Sequence, residues 1–228
     1  MAAMARILNL ETATTNCSVS ISEGNNIICL KENNAENYSH SEQLHLFIKE
    51  ALEEVSLSFS DLDAIAVSKG PGSYTGLRIG VSAAKGLCFS LDLPLISIPT
   101  LESMANQIKV SEGEVIIPVL DARRMEVYSS VYNSVYQEVR DTRAEVIDED
   151  SFKEFGSHSK IYIVGSGAEK CREIVKHSNF TFNTSVVPSA REMGKIASRK
   201  FQEGSFEDVA YFEPYYLKDF VLQVKKKS

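Results

Sequence analysis

At 228 residues, with 43% hydrophobic and 24% charged content, the chain carries enough apolar material for one large domain or two lobes of roughly 100 residues each. Its formal net charge of −7 excludes a general nucleic-acid-binding face, so any contact with a polyanion needs a local patch or a basic partner. Cys17, Cys29, Cys88 and Cys171 have no CxxC spacing, which argues against a disulfide framework or zinc knuckle and suits a reducing cytosol.

ARILNLE predicts a first strand, ended by the polar turn TATTN. CSVSIS and NIICLKE predict two more strands around the turn EGN. SHSEQLHLFIKEALEEV follows, with Leu44, Phe47, Ile48, Ala51, Leu52 and Val55 at helical spacing. Ser39 is its expected N-cap, and Glu42 completes a capping box. Next come a strand DAIAVS, a glycine-containing helix, a strand PLISIP and a helix from Thr100.

The second half repeats the order without repeating the residues. EVIIPVLDA, MEVYSSVYN and VYQEVRD read as strands, followed by a short helix near SFKEF and a strand KIYIVG. A helix AEKCREIVKH, a short strand SVVP and a helix SAREMGKIASRKFQEG complete it. Three strands, helix, strand, helix, strand, helix, twice over, predicts an α/β protein of two lobes, each a mixed sheet with flanking helices. The pattern is that of the actin-like, ribonuclease H-like architecture. The lobes are expected at 4–108 and 109–228, with the link near IKVSEGE. No leader peptide is visible and no run approaches the ~18 apolar residues of a membrane span. A cytoplasmic protein without a membrane segment is expected, with Met4 as a second candidate start.

Gly70 to Gly80, GPGSYTGLRIG, is the most informative segment. Four glycines at a strand-to-helix junction mean that something approaches the backbone closely, either an anion at the helix start or a second helix along its face. The segment lacks GxxxxGK[ST] and reads GxGxxxG, so it is neither a Walker loop nor a dinucleotide fingerprint. Ser73 or Thr75 is placed to cap the helix. Gly76, Gly80, Ala83, Ala84 and Leu87 form one small-residue stripe along it, suited to a neighbouring helix or to the sheet beneath.

Other candidate positions carry weaker chemistry. Glu11 and Asp121 end the first strand of each half, where an actin-like protein faces two acidic residues into a shared cleft. No glycine follows either one, and Arg123 or Arg124 is placed to form an ion pair with an acidic neighbour. Gly165 and Gly167 flank a strand-to-helix turn that either contacts a nucleotide through its amides or is a plain turn. His40 and His45 are five apart on one helix, which points them about 140° from each other, and His158 and His177 stand alone. A helical metal pair needs spacing of four, so no metal site is expected. GxSxG is absent.

Five segments in order, LNLETAT, HSEQL, GPGSYTGLRIG, DARRMEVY and EPYYLK, resemble the motifs of the bacterial tRNA threonylcarbamoyladenosine biosynthesis protein family TsaB. Glu11 stands where that family usually has Asp. The resemblance implies two actin-like lobes without chemistry or a cofactor of their own. It implies pairing with a larger catalytic paralogue, TsaD, which modifies the adenosine beside the anticodon of ANN-decoding tRNAs. A P-loop ATPase, TsaE, would join, so that ATP and a metal ion belong to the partner subunits. tRNA would be met through the complex, and the chain would form a homodimer when alone. The first helix and the glycine helix would form the partner face, which makes His40, Gly76, Gly80, Ala83, Ala84 and Leu87 its candidate residues. The rival readings are an independent sugar-kinase-like ATP enzyme and a metallopeptidase. The basic run Lys225–Lys227 reads as a solvated tail.

Overall fold

The computed structural model describes residues 4–34 and 40–218. Ser39, Met1–Ala3 and the Lys225–Lys227 run therefore lie outside the described residues. The first sheet contains β1 (Arg6–Glu11), β2 (Asn16–Glu23), β3 (Asn26–Asn34), β4 (Ala64–Gly70) and β5 (Leu95–Pro99), in the order β3-β2-β1-β4-β5. The pairs β1–β2 and β2–β3 are antiparallel hairpins, while β1–β4 and β4–β5 are parallel. Helices α1 (His40–Glu54), α2 (Tyr74–Leu91) and α3 (Thr100–Ala105) alternate with the later strands.

The second sheet repeats this plan. It contains β6 (Glu114–Asp121), β7 (Glu126–Tyr132), β8 (Glu138–Val146), β9 (Lys160–Val164) and β10 (Phe180–Asn183), in the order β10-β9-β6-β7-β8. Helices α4 (Ala168–Ile174) and α5 (Ala190–Gln202) complete it. Two mixed five-stranded sheets with flanking helices give the two-lobed, actin-like α/β fold.

Residue alternation decides what each sheet face packs against. Leu8 and Leu10 of β1 join Leu44 and Ile48 of α1 and Val81 and Ala84 of α2. Ile7, on the opposite face, joins Ala64, Ala66, Ile96 and Ile98 in packing against Ala190, Met193 and Ala197 of α5. In the second sheet Val119 and Ile163 pack with Ala168 and Cys171 of α4, while Ile116 and Leu120 meet Leu101, Met104 and Ala105 of α3. Each large apolar side chain sealed this way contributes about 1.5–3 kcal/mol of burial. The strands of the two sheets come from residues 6–99 and 114–183, but the inner helices are exchanged. Helix α3 from the first half covers the second sheet, and α5 from the second half covers the first.

Two strands differ from the sequence reading. The third strand of the second half starts at Glu138, because Asn133 folds the VYQ segment into a hairpin turn. Its side-chain oxygen accepts from the amides of Val135 and Gln137 at 3.1 and 2.9 Å. The last strand is FTFN at 180–183, not SVVP. Asn183 accepts from the Ser185 amide at 2.9 Å and ends the strand there, leaving Val186 as a buried loop residue.

Candidate functional site

The close approach demanded by the four glycines comes from the chain itself. Ser73 caps α2, its hydroxyl accepting from the Gly76 amide at 3.2 Å. The Ser73 amide donates to the Ala13 carbonyl at 2.7 Å, which docks the β1–β2 turn onto the loop. A Cβ on Gly72 would lie 2.7 Å from the Cβ of Ala13. On Gly76 and Gly80 a Cβ would fall well inside 3.0 Å of the Thr12 carbonyl and hydroxyl oxygens. The Thr12 hydroxyl donates to the Gly76 carbonyl at 2.8 Å, fixing the turn against the helix. Gly70 has φ +112°, and a Cβ there would sit 2.8 Å from the Tyr215 carbonyl oxygen.

Gly76, Gly80 and Ala84 are therefore buried inside the lobe, and Ala83 and Leu87 are half-buried against its core. The small-residue stripe faces its own turn and sheet, not outward. His40, the first residue of α1, is buried too, and its Nε2–H donates to the Thr14 carbonyl at 2.6 Å. Burial pushes its pKa below the ordinary histidine value. His45 is exposed on the far side of the helix. Among the described residues no three His, Cys, Asp or Glu side chains gather in a metal-binding arrangement.

Residues 207–218 form a strap across α2. The Glu207 amide donates to the Leu95 carbonyl at 2.8 Å and so occupies the edge of β5. Lys85 of α2 donates to the Ala210 and Phe212 carbonyls at 3.1 and 2.9 Å. The Tyr215 amide reaches the Lys69 carbonyl at 2.7 Å, beside Gly70. Tyr216 packs on Tyr74 at 4.8 Å between ring centroids, and Arg78 lies 4.2 Å from the Tyr74 ring. Lys218 then reaches the second lobe, pairing with the Glu126 carboxylate near the Ala122 carbonyl. An open cleft of about 640 Å³ remains between the strap and Lys69, lined by Glu207, Asp208, Tyr211 and Tyr215.

All five sequence motifs thus meet in one continuous junction. LETAT supplies the turn, HSEQL the histidine, GPGSYTG the cradle, EPYYLK the strap and DARRMEVY its anchor in the second lobe.

Glu11 is sealed from solvent. Its Oε1 accepts from the Ala13 amide at 2.6 Å and the Ser68 hydroxyl at 2.8 Å, while Oε2 has no partner among the described residues. Burial outweighs these bonds and raises its pKa from 4.5 to about 7. Asp121 is exposed; its Oδ1 accepts from the Arg123 amide at 2.6 Å, and its ion pair is with Lys170 at 2.8 Å, not with the Arg123 or Arg124 guanidinium. The amides of Gly165 and Gly167 are both taken within the protein, by the Asn183 and Val119 carbonyls at 2.9 and 3.1 Å. Gly165, at φ +114°, lets β9 turn into α4 against Met104 and Val119.

Sequence reasoning missed two exposed features. Phe89 on α2 is 86% exposed and Leu46 on α1 is 50% exposed, each an apolar side chain on the polar face of an otherwise amphipathic helix. Spacing alone could have flagged Phe89, which follows Arg78, Ser82 and Gly86 along the outer stripe. The second feature is the β6–β7 hairpin tip. There Arg123 and Arg124 both take left-handed backbone, at φ 69° and 51°. Such backbone costs a non-glycine residue roughly 1–2 kcal/mol.

A model of the family described as TsaD, tRNA N6-adenosine threonylcarbamoyltransferase, matches residues 34–226. A protein of Escherichia coli (strain K12), tRNA threonylcarbamoyladenosine biosynthesis protein TsaB, is 30% identical over 95% of this chain and 96% of its own length. The chain belongs to the TsaB family. The Haemophilus influenzae protein of the same name is 28% identical over 94% of both chains. The solved structure of YeaZ from Pseudomonas aeruginosa has the same fold, with a TM-score of 0.80 at 23% identity. It covers 94% of this chain and all of that one. No helix among the described residues is long and apolar enough to cross a membrane.

Proposed function

We propose that this TsaB-family chain is the non-catalytic partner subunit of a tRNA threonylcarbamoyladenosine-forming complex. It binds a TsaD-like catalytic protein through the outer faces of α1 and α2, with a TsaE-like ATPase as a further member and a homodimer as the state without partners. ATP and the metal ion belong to those partners. The observation that carries this reading is the exposure of Phe89 on α2 and Leu46 on the neighbouring α1. Large apolar side chains left exposed on the outer sides of two neighbouring helices suit a protein partner. The closed glycine loop and the sealed Glu11 support a scaffold role over the ATP-enzyme reading, since both positions are filled by the protein's own atoms. The histidine arrangement supports it over the peptidase reading.

The test is sedimentation of the chain with a TsaD-like protein, using wild type and Phe89→Asp. A stoichiometric complex lost on substitution, with an unchanged melting temperature, is expected. Full association of the variant would overturn the assignment of this face.

A further inference from the structure

The strap lies along α2 on the flank away from α1. Gly76 faces α1, since a Cβ there would come within 3.4 Å of His40 Cδ2. Lys85, nine residues further on, sits about 180° round the helix from it at 3.6 residues per turn. Its ammonium holds the Ala210 and Phe212 carbonyls at 3.1 and 2.9 Å, the residues on either side of Tyr211. The Asp208 carboxylate pins the same backbone, accepting from the Ala210 and Tyr211 amides at 2.8 and 3.2 Å. On this fixed backbone the Tyr211 side chain is 84% exposed, and its hydroxyl has no hydrogen bond among the described residues. Phe89 projects from α2 one turn beyond Lys85 and is similarly exposed. Between the strap and α1, the outer stripe of α2 carries exposed Thr75, Ser82 and Gly86, short residues that leave its backbone open. The outer surface therefore runs from Leu46 on α1, over a shallow α2, to the wall made by the strap.

We propose that the strap is part of the protein-binding face, so that a TsaD-like partner seated on Phe89 also covers Tyr211 and fills the cleft beside it. This extension rests on the function proposed above. Size is the first argument. At 18 residues α2 is ~27 Å long, and two helices packed ~10 Å apart present a face ~20 Å wide, about 500 Å² in all. A specific complex buries roughly 800 Å² on each partner. The strap accompanies α2 from Leu95, just past its C-terminal end, to Tyr74 at its start. One more layer of ~10 Å brings the face to about 800 Å². Preorganisation is the second argument. A tyrosine has few rotamers to lose, and here its backbone is already held, so covering it costs little ordering entropy. The cleft of about 640 Å³, bordered by Tyr211 and Tyr215, gives a partner side chain a place to enter, as interface anchors require. The flank's two cations are turned inward: Lys85 onto the strap carbonyls and Arg78 onto Tyr74 and the Tyr216 hydroxyl.

The experiment titrates a TsaD-like protein into wild type, Tyr211→Ala, Tyr211→Phe and Phe89→Asp by calorimetry, with sedimentation of each chain alone. The expected result is association about 10–30-fold weaker for Tyr211→Ala and within threefold of wild type for Tyr211→Phe. Melting temperatures should not change, because the side chain touches little of its own protein. Amide exchange over residues 207–216 should slow on complex formation. Wild-type affinity in Tyr211→Ala, with Phe89→Asp still defective, would end the face at α2 and overturn this inference alone. Loss of self-association in Tyr211→Ala with unchanged binding of the TsaD-like protein would assign the strap to a second copy and also overturn it. A wild-type chain that does not bind the TsaD-like protein would overturn both the inference and the function it rests on.

Discussion

Gly76→Ala and Gly86→Ala place the same methyl group on the same helix, and the structure predicts opposite outcomes. At Gly86 a Cβ meets nothing within 4 Å, so alanine contributes only its helix propensity, a gain of about 1 kcal/mol. At Gly76 the new Cβ falls on the Thr12 carbonyl oxygen, 3.3 Å from its carbon and 3.4 Å from His40 Cδ2. The turn cannot retreat easily, because Thr12 bonds back to the Gly76 carbonyl and Ala13 accepts from Ser73. Overpacking of this kind costs about 3 kcal/mol, which outweighs the propensity gain and leaves a net loss of about 2 kcal/mol. For a chain of this size that is a melting temperature about 4–8 °C lower, against a rise of a few degrees for Gly86→Ala. Urea denaturation and thermal melts of the two variants side by side measure the difference. A Gly76→Ala protein as stable as wild type but unable to associate would refute the reasoning, since the glycine would then face a partner and not Thr12.

Glu11→Gln tests the buried carboxyl. The unfolded group ionises above about 4.5 while the folded one stays protonated to about 7, so the wild type loses stability as pH rises between those values. The loss totals about 3 kcal/mol and is complete above pH 7. Unfolding free energies from pH 4 to 8 should show the glutamine variant lacking this decline; parallel curves would contradict the burial argument. Lys85→Met should free the strap from α2 and speed proteolysis between residues 205 and 215, with peptide mapping as the readout and wild-type cleavage rates as the adverse result. His40→Ala should open the start of α1 by removing its bond to Thr14, seen as faster amide exchange over the first turn and little change at the C-terminal end.

The duplicated order of elements was legible because such segments state their own period, two for the alternating CSVSIS of β2 and near 3.6 for α1. The two missed strand boundaries lay where single asparagines, Asn133 and Asn183, end pairing through their own side chains, a local effect that hydropathy does not register. The glycines announced a close approach but could not name what approaches. Thr12 lies 64 residues before Gly76, and Tyr216 lies 138 after Arg78. The exchange of α3 and α5 was invisible for the same reason, since an apolar face does not say which sheet it covers. At the second acidic position the sequence offered neighbouring arginines as partners for Asp121. The fold instead brings Lys170 across 49 residues.

The proposed function has this chain serve its complex through contacts and not through chemistry. The direct measurement is tRNA threonylcarbamoylation in a reconstituted system of TsaD-like and TsaE-like proteins with this chain omitted, wild type, Glu11→Gln/Asp121→Asn or Phe89→Asp. Product is expected with wild type and with the carboxylate double variant at similar rates, and little without the chain or with Phe89→Asp. Abolished modification by a folded, fully associated Glu11→Gln/Asp121→Asn protein would contradict it.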